Sequence, residues 1–236
     1  MLTATGLTKT YGAHTALDRL DLKVAPGEIY CLLGANGAGK STTIKLFLGL
    51  LAPAAGSAWV NGIEVARDPL GARRHLLYIP EMVALYDELT GLENLAYFAD
   101  LGQVEDRSPA QLKACLTEAG LQESAFYRRV SGYSKGMRQK VGIALAIAKQ
   151  AKALLLDEPT SGLDPQASAE FHDLLSRQRD RGAAILMATH DLFRARQVGD
   201  TIGLMRAGKL RRTLAAASVT AQDLEALYLE EMAVTA

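Results

Sequence analysis

Ile29 to Leu33 form an unbroken apolar run that leads straight into Gly34-Ala35-Asn36-Gly37-Ala38-Gly39-Lys40-Ser41, and helix-forming sequence continues from there to Leu51. A strand that is apolar at every position needs cover on both faces, which is the situation of a parallel strand sandwiched between helices. The turn between strand and helix matches G-x-x-x-x-G-K-[ST]. Gly34, Gly37 and Gly39 let backbone N–H groups face phosphate oxygens with no Cβ in the way, and the helix that follows adds its positive end. In such a loop Lys40 neutralises the β- and γ-phosphates and the Ser41 hydroxyl ligates Mg²⁺. Asn36, Ala38 and Thr42 belong to the same nucleotide-binding set.

The rest of the chain is consistent with that start. At 236 residues and 49% apolar, it suits one α/β domain with an insertion, or two small domains. Leu17, Leu20, Leu22 and Val24 alternate in part before Pro26-Gly27, which predicts half-buried antiparallel strands near the N-terminus. A second β segment spans Ser57 to Val65 and breaks at Asn61-Gly62, a strong turn signal. Leu76 to Ile79 is a further short strand, ended by Pro80. From about Met82 to Tyr133 the pattern is helical, with Leu92, Leu95 and Ala96, then Leu112, Cys115 and Leu116, near three-to-four spacing. The strand–helix rhythm returns at Ala153 to Leu156, Ala183 to Ala188 and Thr201 to Met205, so the expected fold is α/β with a mostly parallel sheet. Ala221 to Met232 reads as an amphipathic helix with Leu224, Leu227 and Tyr228 on one side.

Two further motifs carry chemistry. Leu154-Leu155-Leu156-Asp157-Glu158 is an apolar strand that ends in carboxylates. Asp157 is placed to hold Mg²⁺, directly or through water. Glu158, at the C-terminal edge where parallel sheets bind ligands, is placed to accept a proton from an attacking water. Tyr133-Ser134-Lys135-Gly136-Met137 lies 157 − 133 = 24 positions before Asp157 and opens a helical segment from Gly136 to Gln150. Ser134 is a natural N-cap. Its hydroxyl, the Gly136 amide and the positive end of the helix also suit a γ-phosphate. A second anion-binding helix start beside a complete loop suggests a site finished by another copy of the protein.

The three motifs together resemble the ATP-binding subunits of ABC transporters, over essentially the whole chain. That family's signature is Leu-Ser-Gly-Gly-Gln followed by a basic-Gln-basic helix start. Ser134, Gly136 and Arg138-Gln139-Lys140 match it, whereas Tyr133, Lys135 and Met137 depart in a way that resembles the branch serving ABC-2-type exporters. The resemblance implies a P-loop NTPase, RecA-like core (1–82 and 139–236) with an N-terminal antiparallel β subdomain and an inserted helical signature subdomain (83–138), the whole of 1–236 being one ATP-binding domain. It implies ATP and Mg²⁺ as cofactors, and a head-to-tail homodimer in which each ATP lies between one copy's Lys40 loop and the other's Ser134 helix. It further implies that Glu158 is the base, that His190 contacts the γ-phosphate, that Tyr11 stacks on adenine and that Ser161-Gly162-Leu163-Asp164 meets the partner copy. Glu81 stands where the family usually has a glutamine that touches Mg²⁺; a glutamate is a stronger metal ligand but donates no hydrogen bond when ionised. Around Ala84-Leu85-Tyr86 the family receives ABC-2-type transmembrane permease subunits. The implied location is cytoplasmic, peripheral on the inner face of the cell membrane through that permease.

Composition excludes other classes. Lys and Arg total 26 against 26 Asp and Glu, so no nucleic-acid partner is expected. Cys31 and Cys115 are too few and too isolated for a disulfide framework or a metal site. No apolar run approaches the roughly 20 residues that span a bilayer, and the N-terminus does not resemble a secretory leader, so a cytosolic chain is expected. A GTPase on the same loop would show Asn-Lys-x-Asp, which is absent. A non-transport ATPase of the same family, acting on ribosomes or DNA, is the alternative; such forms usually carry two cassettes, zinc ligands or a long coiled coil.

Overall fold

The computed structural model describes residues 1–233. The chain divides into two compact units, one made of Met1–Tyr78, Lys152–Glu158 and the chain from Arg179 on, the other of Ile79–Ala151 and Pro159–Gln178. In chain order, β1 (Leu2–Tyr11) turns at Gly12-Ala13 into β2 (His14–Val24), and β3 (Glu28–Leu33) leads through the glycine loop into α1 (Lys40–Phe47). Then come β4 (Ala55–Val60), β5 (Ile63–Glu64), the short α2 (Pro69–Arg74) and β6 (Leu76–Ile79). The helical unit holds α3 (Gly91–Leu101), α4 (Pro109–Glu118), α5 (Glu123–Phe126) and α6 (Lys135–Ala148). After it run β7 (Ala153–Asp157), α7 (Pro165–Asp180), β8 (Ala184–Thr189), α8 (Leu192–Val198), β9 (Thr201–Arg206), β10 (Lys209–Ala215) and α9 (Ala221–Ala233).

The first unit contains two sheets. One is antiparallel, in the order β2-β1-β4-β5, and buries Leu2, Leu7, Leu17, Leu20 and Val60 on its inner face. The other runs β10-β9-β3-β8-β7-β6; β3, β7, β8 and β9 are parallel, and β10 returns as a hairpin on β9. Ile29 to Leu33, Ala153 to Leu156 and all of β8 are buried, as strands covered on both faces must be. The α/β expectation, with an antiparallel N-terminal sheet beside a parallel-rich core, is the architecture observed. Register then determines where the chemistry sits. Leu33 pairs with Thr189 and Asp157 with Ala188, so three strands end at one level. Gly34, Glu158 and His190 therefore leave the sheet along the same C-terminal edge.

Two boundaries differ from the sequence reading by more than two residues. The helix after the glycine loop stops at Phe47 rather than reaching Leu51. Gly49 takes φ 66, the Leu50 N–H donates to the Lys45 carbonyl at 3.0 Å, and the Gly49 N–H donates to Leu46 at 3.1 Å. This pair of bonds is the Schellman ending that a left-handed glycine permits. The helical pattern that begins near Met82 also starts late, because residues 82–90 form a loop. Thr90 ends that loop with a reciprocal capping box to Glu93, an interaction of about 1 kcal/mol. Asn94, fully buried, donates to the carbonyls of Tyr86, Leu89 and Thr90 and accepts from the Tyr86 N–H. One side chain thus does for the loop what regular hydrogen bonding does for a helix.

Candidate nucleotide site

The glycine loop is shaped by close contacts. A Cβ on Gly34 would lie 2.3 Å from the Met205 carbonyl oxygen, and one on Gly39 would lie 2.7 Å from that of Ala16, with φ already at 108. Neither position admits another residue without moving the backbone. Gly39 is also the N-cap of α1, and it offers no side chain to the helix's first amides. Those N–H groups are oriented and uncapped, which is the arrangement that binds an anion.

Lys40 is 6% exposed and folds back over the loop, its ammonium donating to the Gly34 carbonyl at 2.6 Å and to Ala35 at 3.2 Å. Glu158 faces it at 3.8 Å. The same carboxylate oxygen lies 2.9 Å from His190 Nδ1, and the other accepts the Thr189 hydroxyl at 3.3 Å. Glu158 has φ 47, a left-handed conformation that costs a non-glycine residue roughly 1–2 kcal/mol. It turns the chain sharply at the end of β7, and such strain is concentrated at functional sites. One residue back, the Ser41 side chain lies close enough to the Asp157 carboxylate to pull its pKa down against the effect of burial.

Burial sets the electrostatics here. It lowers the Lys40 pKa, with Glu158 and Asp157 opposing. It raises that of Asp157; the charge of Glu158 adds to the rise, while Ser41, Lys40 and Lys45 oppose it. A hydroxyl and a carboxylate whose charge is penalised form a hard-oxygen pair of the kind Mg²⁺ takes from proteins, its other positions going to water and phosphate. The residues present therefore fit that ion. Among the described residues no cluster of three or more His, Cys, Asp or Glu could hold a metal by itself.

The penalty on Asp157 has a measurable consequence. A carboxyl whose folded pKa exceeds its unfolded value binds more protons when folded. Its ionisation thus lowers stability above the unfolded value, and the loss is recovered as pH falls through the folded pKa. Asp157→Asn should raise the melting temperature of the nucleotide-free protein at pH 7 by about 1–3 °C, a small figure because the group is partly exposed. The gain should shrink as pH approaches 3.8, the ordinary aspartate value. Thermal unfolding of both proteins across pH tests this; a mutant less stable at pH 7 would contradict it.

The other sequence-derived residues are placed as follows. Asn36 and Gly37 are exposed on the loop, Ala38 is buried and Thr42 is half-buried in the first turn of α1. Tyr11 ends β1, is 47% exposed, and has Lys9 Nζ 5.2 Å from its ring centroid. Ser134, Gly136 and Glu81 belong to the helical unit. Ser134 caps α6, its hydroxyl accepting from the Met137 N–H at 3.3 Å. Gly136 lies against Leu163 and Ala167. The Glu81 side chain is 54% exposed, and its carboxylate is 3.7 Å from Lys135 Nζ. Tyr133 is buried, its hydroxyl donating to the Ala125 carbonyl at 2.5 Å, which accounts for an aromatic residue there. Thr189 was not singled out from the sequence, although its place at the end of β8, on the same edge as His190, was available as a signal.

Residues 17–161 match the family model described as ABC transporter, and the chain belongs to that family. It is 38% identical over 205 residues to the doxorubicin resistance ATP-binding protein DrrA of Mycobacterium tuberculosis, covering 86% of this chain and 62% of the relative. It is 35% identical over 226 residues to the probable multidrug ABC transporter ATP-binding protein YbhF of Escherichia coli, covering 96% of this chain and 38% of the relative. The chain thus spans less than two thirds of either protein. Among solved structures, an ATP-binding subunit of an ABC transporter superposes with a TM-score of 0.85 at 33% identity, over 98% of this chain and 99% of that one. The ATP-binding cassette MJ0796, solved as a dimer in a post-hydrolysis state bound to ADP and Pi, gives 0.81 at 26% identity over 92% and 99%.

Proposed function

We propose that this chain binds and hydrolyses ATP with Mg²⁺ and, as a homodimer, energises transport through separate membrane subunits of ABC-2 type, in the export direction. The observation that carries this reading is the convergence of Lys40, Glu158 and His190 at the head of an uncapped α1, with Asp157 and Ser41 close together beside them. The loop amides and Lys40 receive the phosphates, and Ser41 and Asp157 hold the metal. Mg²⁺, when bound, neutralises charge on the phosphate oxygens. A water attacks the γ-phosphorus, the bond to the β-phosphate oxygen breaks, ADP leaves and Glu158 takes the water's proton. Before ATP arrives Glu158 is occupied by Lys40 and His190; phosphate oxygens compete for both side chains and leave the carboxylate to Thr189 and the water. Positioning and charge stabilisation supply most of the rate.

In this reading Tyr11 stacks on adenine and the partner copy contributes Ser134 and Gly136 to the γ-phosphate. The DrrA and YbhF relatives, named for drug resistance and multidrug transport, support the export direction, and the dimeric cassette supports the shared site. No helix among the described residues is long and apolar enough to cross a membrane. In this reading the chain sits on the cytoplasmic face and meets the bilayer through the permease. The docking surface lies beside Ala84-Leu85-Tyr86. There Tyr86 (50% exposed), Tyr97 (41%) and Met82 (75%) stay open, and Tyr86 meets Tyr97 edge-on with centroids 5.0 Å apart.

Purification of the tagged protein from detergent-solubilised native membranes tests the assignment. A polytopic membrane protein should co-elute at about one-to-one stoichiometry, and ATP should outcompete GTP for binding. An active ATPase with no membrane companion would overturn the transport half of the reading. Absence of ATP binding would overturn both halves.

A further inference from the structure

The turn from β9 to β10 packs against the back of the glycine loop, backbone to backbone. It is Ala207-Gly208, with φ 45 and 77, the pair of left-handed residues that a two-residue hairpin turn uses. A Cβ on Gly208 would lie 2.9 Å from the Ala16 carbonyl oxygen of β2. One on Gly39 would lie 2.7 Å from that same oxygen and 3.4 Å from the Gly208 Cα. Loop, turn and β2 close on one another only because both positions are glycine. Hydrogen bonds hold the contact: the Gly208 N–H donates to the Ala38 carbonyl at 2.9 Å, and the Gly208 carbonyl accepts from the Asp18 N–H at 2.8 Å. Every residue involved belongs to the first unit.

The bond to Ala38 bears on the chemistry of the loop. The Ala38 carbonyl and the Gly39 N–H belong to one peptide unit, which is planar, and in a trans peptide the two groups point in opposite directions. With the carbonyl held by Gly208, the Gly39 N–H is turned away from the hairpin. Gly39 sits at φ 108 and has no Cβ to restrict it, so the peptide could otherwise rotate. The hairpin turn is what fixes it.

We propose that Gly208 is a positioning residue for the phosphate loop: its bond to Ala38 aims the Gly39 N–H at the bound phosphate, as one more donor ahead of the uncapped amides of α1. This rests on the nucleotide reading above. A hydrogen bond to a charged phosphate weakens steeply when its donor is misaligned, so releasing this peptide costs affinity for the phosphates.

Gly208→Ala tests this, because its methyl group has to push the turn away from Ala16. A fluorescent ATP analogue should bind the variant about five- to thirtyfold more weakly, while the number of competent sites stays at the wild-type value. Competition by inorganic tripolyphosphate should weaken by the same factor, since the loss lies in phosphate contacts. Unchanged affinity, with or without fewer competent sites, would mean that the turn serves folding alone and would overturn the proposal. A loss for the ATP analogue without one for tripolyphosphate would overturn it as well. Amide exchange in the wild type gives a second measurement that needs no variant. A bond that strengthens phosphate binding is itself strengthened by phosphate, by the same factor. Saturating tripolyphosphate should therefore slow exchange at Gly208 about five- to thirtyfold more than at Gly27. The Gly27 N–H donates to the Ala183 carbonyl at 3.2 Å, at the opposite end of β3, and reports overall stabilisation only. Equal slowing at the two amides would overturn the proposal. Failure of the wild type to bind the analogue at all is a different result, because it removes the nucleotide reading and this inference with it.

Discussion

Glu158→Gln should bind ATP at least as tightly as the wild type, hydrolyse it about 10²–10⁴-fold more slowly, and accumulate as an ATP-bound dimer. The amide keeps the size of the carboxylate and can still accept the Thr189 hydroxyl that now lies at 3.3 Å. It cannot take a proton from water. It also lacks the charge that holds Lys40 at 3.8 Å, with His190 2.9 Å from the same oxygen, so both side chains become more available to phosphate. The chemical step is lost while binding is kept or improved. Single-turnover phosphate release measures the first effect, and light scattering at saturating ATP and Mg²⁺ measures the second. Wild-type turnover in the mutant would mean that another group is the base. A monomeric mutant would mean that the shared site does not form without the membrane subunits.

That cluster was legible in the sequence because each part is encoded locally. The glycine loop is written in residues within eight positions of one another, although its close contacts with Ala16 and Met205 are not. Asp157-Glu158 and His190 are flagged by the apolar strands they end. Parallel pairing then aligns those strand ends, and the expectation of a parallel sheet already contains that alignment. The finer arrangement was not legible. Nothing in the residue types says that Glu158 adopts φ 47, or that Thr189 turns its hydroxyl toward Glu158 rather than into the core.

The helical unit was harder to read for a physical reason. Helical periodicity reports which residues are apolar, and a loop clamped by a buried asparagine carries apolar residues at similar intervals. Asn94 holds the 86–90 segment through side-chain bonds, an arrangement that leaves no periodic trace. Glu81 illustrates the same limit. Its identity was conspicuous, but its partner Lys135 is distant in sequence, and only folding shows that the two departures from the family pattern touch. Gln139, whose match to the family was noted, gained its role as the anchor of the Glu81 carbonyl only from the structure.

Lys40→Ala should reduce ATP affinity by about 30- to 1,000-fold, the cost of removing one partner of a buried charge-assisted contact, about 2–4 kcal/mol. The ammonium is already desolvated, at 6% exposure, and held over the loop by the Gly34 and Ala35 carbonyls, so little reorganisation is needed when phosphate arrives. Burial has lowered its pKa from the usual lysine value, so part of its charge is poorly compensated until an anion enters. For the same reason its removal should leave the nucleotide-free protein about as stable as before, since the desolvation cost and the Glu158 contact are lost together. Lys40→Arg should not restore affinity, because a planar fork does not fit a pocket shaped for a compact ammonium between two carbonyls. Titration with ATP and Mg²⁺, alongside thermal unfolding of the free proteins, separates the cases. Tight binding by Lys40→Ala would mean that the uncapped amides of α1 carry the phosphates alone and that Lys40 acts only in hydrolysis, whereas weak binding with a lowered melting temperature would mean that the loop itself needs the lysine to form.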